Sequence, residues 1–264
     1  MLDALQIAAT GMQAQQLHVD TIANNLANVN TNGFKRGRVA FSDLVTRIAD
    51  SSLASSPLSA VRPLDSVQRI GLGVAVAAIA KQFDAGDMRK TESAFDVAIA
   101  GDGFMEVALN DGTRAFSRGG TLKVNGDGLL SLQSGQPLAA LISVPESAQA
   151  LTIAADGRVQ AKLTGQSRAV ELGQIELVRF MSPGALAAQG DGLYKSTEFS
   201  GEPISGRAGE EPMGTLRQGY VEGSNVKLVD EMVNLMVAQR AYEASVKVAQ
   251  AADEMLGMVN GLRK

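Results

Sequence analysis

The chain of 264 residues contains no cysteine, no tryptophan and a single histidine. Without cysteine it can form no disulfide bond, no thiolate nucleophile and no cysteine-ligated zinc site. His18 alone leaves little from which to build a Ser-His-Asp triad or a histidine-ligated metal site, and we interpret it as a polar residue on the flank of a helix. We therefore expect no catalytic residue, no metal and no cofactor.

An excess of positive charge and long apolar runs are also missing. Lys and Arg number 24 against 28 Asp and Glu, a net charge of −4, which argues against a nucleic-acid partner bound by phosphate neutralisation. The longest uninterrupted apolar run, Val74 to Ala80, is far shorter than the roughly 20 residues of a membrane span, so we expect no direct membrane insertion. The opening Met1-Leu2-Asp3 is acidic where a Sec signal is basic, which predicts that any export proceeds without a cleaved Sec signal.

Both ends of the sequence show helical periodicity. Apolar residues recur every three or four positions over residues 2–26 and again from about 224 to 262, where Ser224 or Asn225 is the expected N-cap. Repeats one heptad apart predict that the two helices pair as a coiled coil. The predicted contact positions, which we call the assembly seam, are Leu5, Met12, Val19, Leu26, Leu228, Met232, Leu235, Tyr242, Val246 and Leu256.

Between the helices the apolar period changes to two. Short alternating runs are separated by Asp-Gly pairs such as Asp111-Gly112 and Asp127-Gly128, which favour tight turns. We predict an α+β fold with a helical coiled-coil domain (1–30 and 222–264), an extended connector (31–74) and an all-β, hairpin-rich domain (75–221). The connector prediction depends on the Ser- and Pro-rich stretch from 50 to 70.

The first predicted helix ends in the asparagine-rich segment "NNLANVNTNGFKR", residues 24–36. Asparagine tolerates the left-handed backbone conformation, and Asn-Gly is a strong signal for a helix end or a turn. A simple stop does not need so many asparagines, so we predict polar contacts at a defined junction. This junction motif comprises Asn24, Asn25, Asn28, Asn32, Gly33 and Phe34.

Two terminal segments resemble signatures of the flagellar basal-body rod and hook family. They are "ATGMQAQQLHVDTIANNLANVNTNGFKR" (9–36) and "QGYVEGSNVKLVDEMVNLMVAQRAYEASVKVAQAADEML" (218–256), and "FDVAIAGDGFMEV" in the middle is similar to a further family segment. The resemblance implies a structural protein without enzymatic activity that polymerises helically into a hollow, torque-transmitting rod across the periplasm. It also implies that the terminal helices form an inner coiled coil and that the β domain faces outward.

The same resemblance implies the partners. They are further copies of the chain, neighbouring rod and hook subunits, the periplasmic and outer-membrane ring proteins, and the flagellar type III export apparatus. The chain is most similar to the distal rod members of the family. Three alternatives stay open: a proximal rod or hook component, a secreted coiled-coil adhesin or fibre protein, and an enzyme using carboxylates among Asp84, Asp87, Asp96 and Asp102.

Overall fold

A computed structural model of the chain describes residues 2–47, 69–109, 111–165 and 168–261. An α-helix lies at each end of this part of the chain and β-strands lie between them, which confirms the α+β class. Helix α1 spans Leu2–Ala27 and helix α2 spans Leu228–Gly261. Neither helix is long and apolar enough, over its described residues, to cross a membrane.

The strands follow one another at short intervals. In chain order they are β1 (Gly37–Arg47), β2 (Arg69–Lys81), β3 (Met88–Lys90), β4 (Asp96–Ala100), β5 (Phe104–Ala108), β6 (Arg114–Ser117), β7 (Gly119–Val124), β8 (Leu130–Leu132), β9 (Ala148–Ile153), β10 (Arg158–Leu163), β11 (Val170–Gln174), β12 (Glu176–Arg179), β13 (Ala187–Gly190), β14 (Leu193–Lys195), β15 (Ile204–Arg207), β16 (Thr215–Gln218) and β17 (Tyr220–Glu222).

The chain divides into two compact units. The helical unit contains residues 2–24, 38–47, 69–79 and 229–261, and the β unit contains the remaining described residues from 25 to 37 and from 80 to 228. Strands β1 and β2 form a two-stranded sheet and occupy parts of the stretch for which we expected a connector. Residues 50–68 of the Ser- and Pro-rich stretch lie outside the described residues.

In the helical unit, α1 lies against both α2 and the β1–β2 sheet. A Cβ atom placed on Gly11 would lie 3.5 Å from the Ser245 hydroxyl of α2, so the two helices approach closely at this point. The ring of His18 meets Phe41 of β1 edge-on, with 5.6 Å between the ring centroids. Gly73 of β2 has a φ of +115°, and a Cβ there would overlap the hydroxyl of Thr10, so only glycine fits.

The β unit consists of several antiparallel sheets. In the described residues the largest has the strand order β13-β14-β6-β5-β12-β15, beside a four-stranded sheet β16-β4-β7-β8 and a three-stranded sheet β11-β10-β9. The glycines of the Asp-Gly pairs have positive φ, as at Gly112 (+78°) and Gly128 (+76°), which is the conformation that these turns require. Strand β17 pairs with β3 and leads toward α2.

The core of the β unit is aliphatic, with an aromatic cluster beside it. Buried Val, Ile and Leu residues from β4, β5, β7, β8, β9 and β10 form the larger part. The aromatic cluster packs its rings edge to face at centroid distances such as 4.8 Å for Phe116 and Phe180. The cluster comprises Phe104, Phe116, Val178, Phe180, Leu186 and Tyr194, with Phe83 packed against it. These buried residues give the β unit a core of its own.

Candidate functional site

The junction motif begins in the last turn of α1, where Asn25 is buried. Its amide nitrogen donates to the carbonyl of Gly37 (2.9 Å), and its amide oxygen accepts from the N–H of Gly37 (2.8 Å). One side chain thereby satisfies both backbone polar groups of a residue twelve positions later, as a neighbouring strand would. The segment from 26 to 36 is closed into a loop by this pair of bonds.

The rest of the junction motif folds within that loop. The Asn28 amide oxygen accepts from the Thr31 hydroxyl at 3.1 Å, and Asn24 and Asn32 lie on the surface. Gly33 adopts a φ of +70°, and its N–H donates to the carbonyl of Glu222 at 2.7 Å. Phe34 is half-buried, and the ammonium group of Lys81 lies over its ring, 4.5 Å from the ring centroid. A contact between these residues and a neighbouring subunit stays a prediction.

In the segment before α2, the side-chain amide of Asn225 binds backbone groups through both its oxygen and its nitrogen, as that of Asn25 does. Its amide oxygen accepts from the N–H of Arg36 (2.8 Å), and its amide nitrogen donates to the carbonyls of Gln82 (2.8 Å) and Asp84 (3.2 Å). Helix α2 begins at Leu228, so the prediction that Ser224 or Asn225 caps this helix was wrong. The amide instead ties the segment before α2 to the segment after α1, because both of its ends bind backbone groups.

A buried ion cluster lies between these two segments. The ammonium group of Lys35 and the carboxylate of Glu222 are 2.7 Å apart, and Nε of Arg118 lies 3.3 Å from the same carboxylate. The side chains are 0%, 2% and 4% exposed for Lys35, Glu222 and Arg118, respectively. The cluster therefore excludes solvent almost completely.

Backbone groups complete the hydrogen bonding of the ion cluster. Lys35 also donates to the carbonyl of Asp84 at 2.7 Å, and Glu222 accepts from the N–H of Gly86 at 2.9 Å. Arg118 donates to the carbonyls of Gly101 (2.9 Å) and Gly103 (2.8 Å). Buried charges are tolerated when they are paired and hydrogen-bonded, and each of these three side chains has both an oppositely charged partner and a bond to the backbone.

Burial and pairing shift the pKa values within the ion cluster. Burial lowers the pKa of Lys35, and its hydrogen bond to Glu222 offsets only part of that effect. Burial acts to raise the pKa of Glu222, but the charge of Arg118 and the hydrogen bond from Lys35 outweigh it, so this pKa lies below its ordinary value. The Glu222 carboxylate is thereby held in its charged form.

Sequence reasoning missed the ion cluster. Lys35 and Glu222 are 187 positions apart, and Arg118 and Glu222 are 104 apart. Glu222 stands in "YVEGSN", which reads as a strand end with a solvent-exposed carboxylate. No local pattern indicates that a charged residue will be buried, because only the folded chain brings its partners together.

The helices bury mainly small side chains. Among the described helical residues the fully buried apolar ones are Ala8, Ala14, Ile22, Ala238 and Ala252. In α2, buried or half-buried residues recur every seven positions at Glu231, Ala238, Ser245 and Ala252. This row is displaced from the predicted assembly seam on the same helix.

The larger apolar side chains of the assembly seam are only partly covered. The half-buried seam residues are Leu5, Met12, Val19, Leu26, Leu235, Val246 and Leu256. Leu228 (48%), Met232 (54%) and Tyr242 (40%) are exposed. Helix α2 also exposes Val229, Val233, Met236 and Val237. A single chain therefore leaves a broad apolar face of α2 in contact with water.

We found no group of three or more His, Asp or Glu residues able to hold a metal ion in the part of the chain that the structure describes. Burial lowers the pKa of His18, and Glu231 partly offsets this effect. Burial also lowers the pKa of Lys81. The Lys81 ammonium group donates to the Lys35 carbonyl at 3.0 Å, so this lysine has a structural partner.

Three family models match the N-terminal, middle and C-terminal parts of the chain. Residues 5–35 match the family model described as flagella basal body rod protein, and residues 98–161 match the D1 domain of the flagellar hook protein FlgE/F/G. Residues 217–262 match the C-terminal model of the flagellar basal body rod FlgEFG proteins. The N-terminal match contains the junction motif, and the C-terminal match contains the whole of α2.

Full-length relatives carry similar names. The chain is 43% identical to the flagellar basal-body rod protein FlgG of Borreliella burgdorferi, over the whole of both proteins. It is 38% identical to the FlgG protein of Buchnera aphidicola from Schizaphis graminum and 39% identical to that of Caulobacter vibrioides. Each of these two alignments covers 99% of this chain and 100% of the relative.

Proposed function

Because the chain belongs to the flagellar basal-body rod protein FlgG family, we propose that it is a structural subunit of the distal rod of the bacterial flagellum. In this role, copies of the chain add to one another in an open helical array and form a hollow shaft that transmits torque. A contact between two different surfaces of identical subunits generates such an array when the rotation does not close.

The observation that carries this proposal is the uncovered apolar face of α2. Leu228, Val229 and Met232 are 48%, 70% and 54% exposed in the single chain. A contiguous exposed apolar face marks a contact surface, because burying it gains roughly 25 cal/mol per Å². A neighbouring copy that covers this face supplies the missing burial.

The organisation that we propose for the rod follows the predicted domains. The helical segments 1–30 and 222–264 form an inner coiled coil, in which the assembly seam of α2 packs against helices of neighbouring copies. The segment 31–74 connects the first helix to the β domain, and residues 75–221 face outward. Within one chain, α2 buries only a row of small residues and leaves a larger apolar face exposed. Packing this face against further helices stabilises both. The β unit buries an aliphatic core and an aromatic cluster within the single chain.

The proposed partners are those of a rod subunit. They are other copies of this chain, the adjoining rod and hook subunits of the basal body, the ring proteins that surround the rod, and the flagellar type III export apparatus. The proposed location is the periplasmic span of the basal body. Family membership supports the basal-body location in particular.

Electron microscopy of basal bodies tests the proposal. A strain that lacks this gene should produce truncated rods without hooks, and the wild-type gene should restore them. In the same strain, Met232→Asp should leave the rod truncated, because an ionised carboxylate cannot be buried in the seam without a partner. Hooked, full-length rods in the deletion strain would refute the assignment.

The matched control is Lys247→Asp, which places the same side chain at an exposed, polar position of α2. It carries the same small helix-propensity cost without entering the seam, so hooks and swimming should be retained. If both variants assemble normal rods, the exposed face of α2 is not the contact surface.

A further inference from the structure

Two large apolar side chains of the β unit are almost fully exposed to solvent on neighbouring segments of the chain. Met181 and Phe199 are each 84% exposed, the highest values among the described large apolar residues. Their segments are joined by a bond from the N–H of Ser182 to the carbonyl of Ser200 at 3.2 Å. We call Met181 and Phe199 the apolar knob.

The backbone that carries the apolar knob is well anchored. The buried Ser200 hydroxyl donates to the Thr197 carbonyl (2.8 Å), and the Thr197 hydroxyl donates to the Ala185 carbonyl (2.8 Å). Phe180, the neighbour of Met181, is buried in the aromatic cluster. The knob side chains are therefore held outward by fixed backbone, so a partner that binds them incurs little cost for ordering the loops.

The size of the knob indicates which kind of partner it fits. Its two side chains offer roughly 300 Å² of contact area, whereas a stable pair of free proteins needs about 800 Å² on each partner. The knob alone cannot hold a freely diffusing protein. It suits a contact between copies of this chain that other surfaces, such as the exposed face of α2, already hold together.

The β unit also contains a cleft of about 700 Å³ that could receive such a knob. Its lining includes the half-buried Phe34, the buried Leu132, Leu193 and Val221, and the charged Lys81, Arg118 and Asp191, and Gln133 and Ser134 lie at its wall. The cleft and the knob are different surfaces of one unit. An open helical array needs this pairing of unlike surfaces, because a knob that met a second knob would give a closed dimer.

We propose that the apolar knob of Met181 and Phe199 inserts into the cleft between Phe34 and Leu193 of a neighbouring copy, as a head-to-tail contact between β units. This inference rests on the proposed function, since it takes the second copy from the rod polymer. It assigns the outward-facing β unit a direct part in subunit contacts, in addition to the helices.

The absence of native cysteine makes a cross-linking test clean. Basal bodies would be isolated from cells whose only copy of the protein carries Met181→Cys together with Gln133→Cys, and treated with a short bismaleimide. Each copy then bears both halves of the contact, so we expect a ladder of covalent dimers, trimers and larger multimers. The Met181→Cys variant retains Phe199, so that assembly is preserved.

The controls separate the outcomes. Each single-cysteine variant should stay monomeric, as should Ile204→Cys with Gln133→Cys, which places the thiol at another exposed apolar site of the β unit. Dimers from Met181→Cys alone would show knob facing knob and overturn the proposal. Complete rods that contain the protein but give no ladder would also overturn it, while leaving the rod function intact. Absence of the protein from isolated rods would refute the rod function itself.

Discussion

Replacing Glu222 with glutamine should strongly destabilise the β unit. The substitution keeps the side-chain volume but removes the charge that Lys35 and Arg118 share at 2.7 and 3.3 Å. Two buried cations then face each other without a counter-charge, and the new amide N–H₂ group can only donate where Arg118 also donates. Removing one partner of a buried ion pair costs about 3 to 5 kcal/mol, which is a large part of the roughly 5 to 15 kcal/mol that stabilises a typical domain.

Urea denaturation of the purified chain, followed by far-UV circular dichroism, measures this loss. With a slope of about 1 to 3 kcal/mol per molar urea, the midpoint should fall by more than one molar. The matched control is Glu243→Gln, which breaks the exposed pair between Arg240 and Glu243 (2.8 Å) and should change the free energy of unfolding by less than about 1 kcal/mol. An equally small effect of Glu222→Gln would show that the ion cluster does not stabilise the fold.

Two further predictions concern pH and a glycine. The folded-state pKa of Glu222 is lowered, so its contribution to stability is present above the unfolded pKa of about 4.3 and is lost as the pH falls through the folded value. Urea titrations at a series of acidic pH values should show this loss in the wild type and a flatter profile in Glu222→Gln; equal slopes would contradict the assignment. Gly73→Ala should destabilise the helical unit by about 1 to 3 kcal/mol, because φ is +115° and the new methyl group overlaps the Thr10 hydroxyl. Gly71→Ala, where a Cβ meets open space, is its control, and thermal melting of the two variants compares them; equal melting temperatures would refute the close approach.

The two helices and the β character of the central region could be predicted because their signals are local. The apolar period gave a first helix over 2–26 against Leu2–Ala27 in the structure, and the Asp-Gly pairs lie in the turns expected for them. Strands β1 and β2 were not predicted. Each pairs with the other across the long Ser- and Pro-rich stretch, and neither is bounded by the turn signals that mark a hairpin.

The candidate site could also be predicted only in part. The asparagine-rich segment indicated polar contacts, but only the fold shows that Asn25 bonds to Gly37 and that Asn225 bonds to Arg36. The assembly seam was read from heptad spacing, which locates large apolar residues but does not say whether they are covered within one chain or between chains. In α2 the chain itself covers the row of Ala238 and Ala252, so spacing alone could not separate the two rows.

The two kinds of surface have different consequences for an assembling subunit. Polar bonds at the junction need defined donor and acceptor positions, so Asn25, Asn225 and the ion cluster specify one path for the chain as it enters and leaves the β unit. The apolar face of α2 and the apolar knob define the geometry of a contact less strictly, because the hydrophobic effect is non-directional. Their burial stabilises any contact that excludes water from them. The β unit buries a core within a single chain. In the rod that we propose, the remaining apolar area is buried when the next copy arrives, so growth of the polymer and completion of the subunit's packing become the same event.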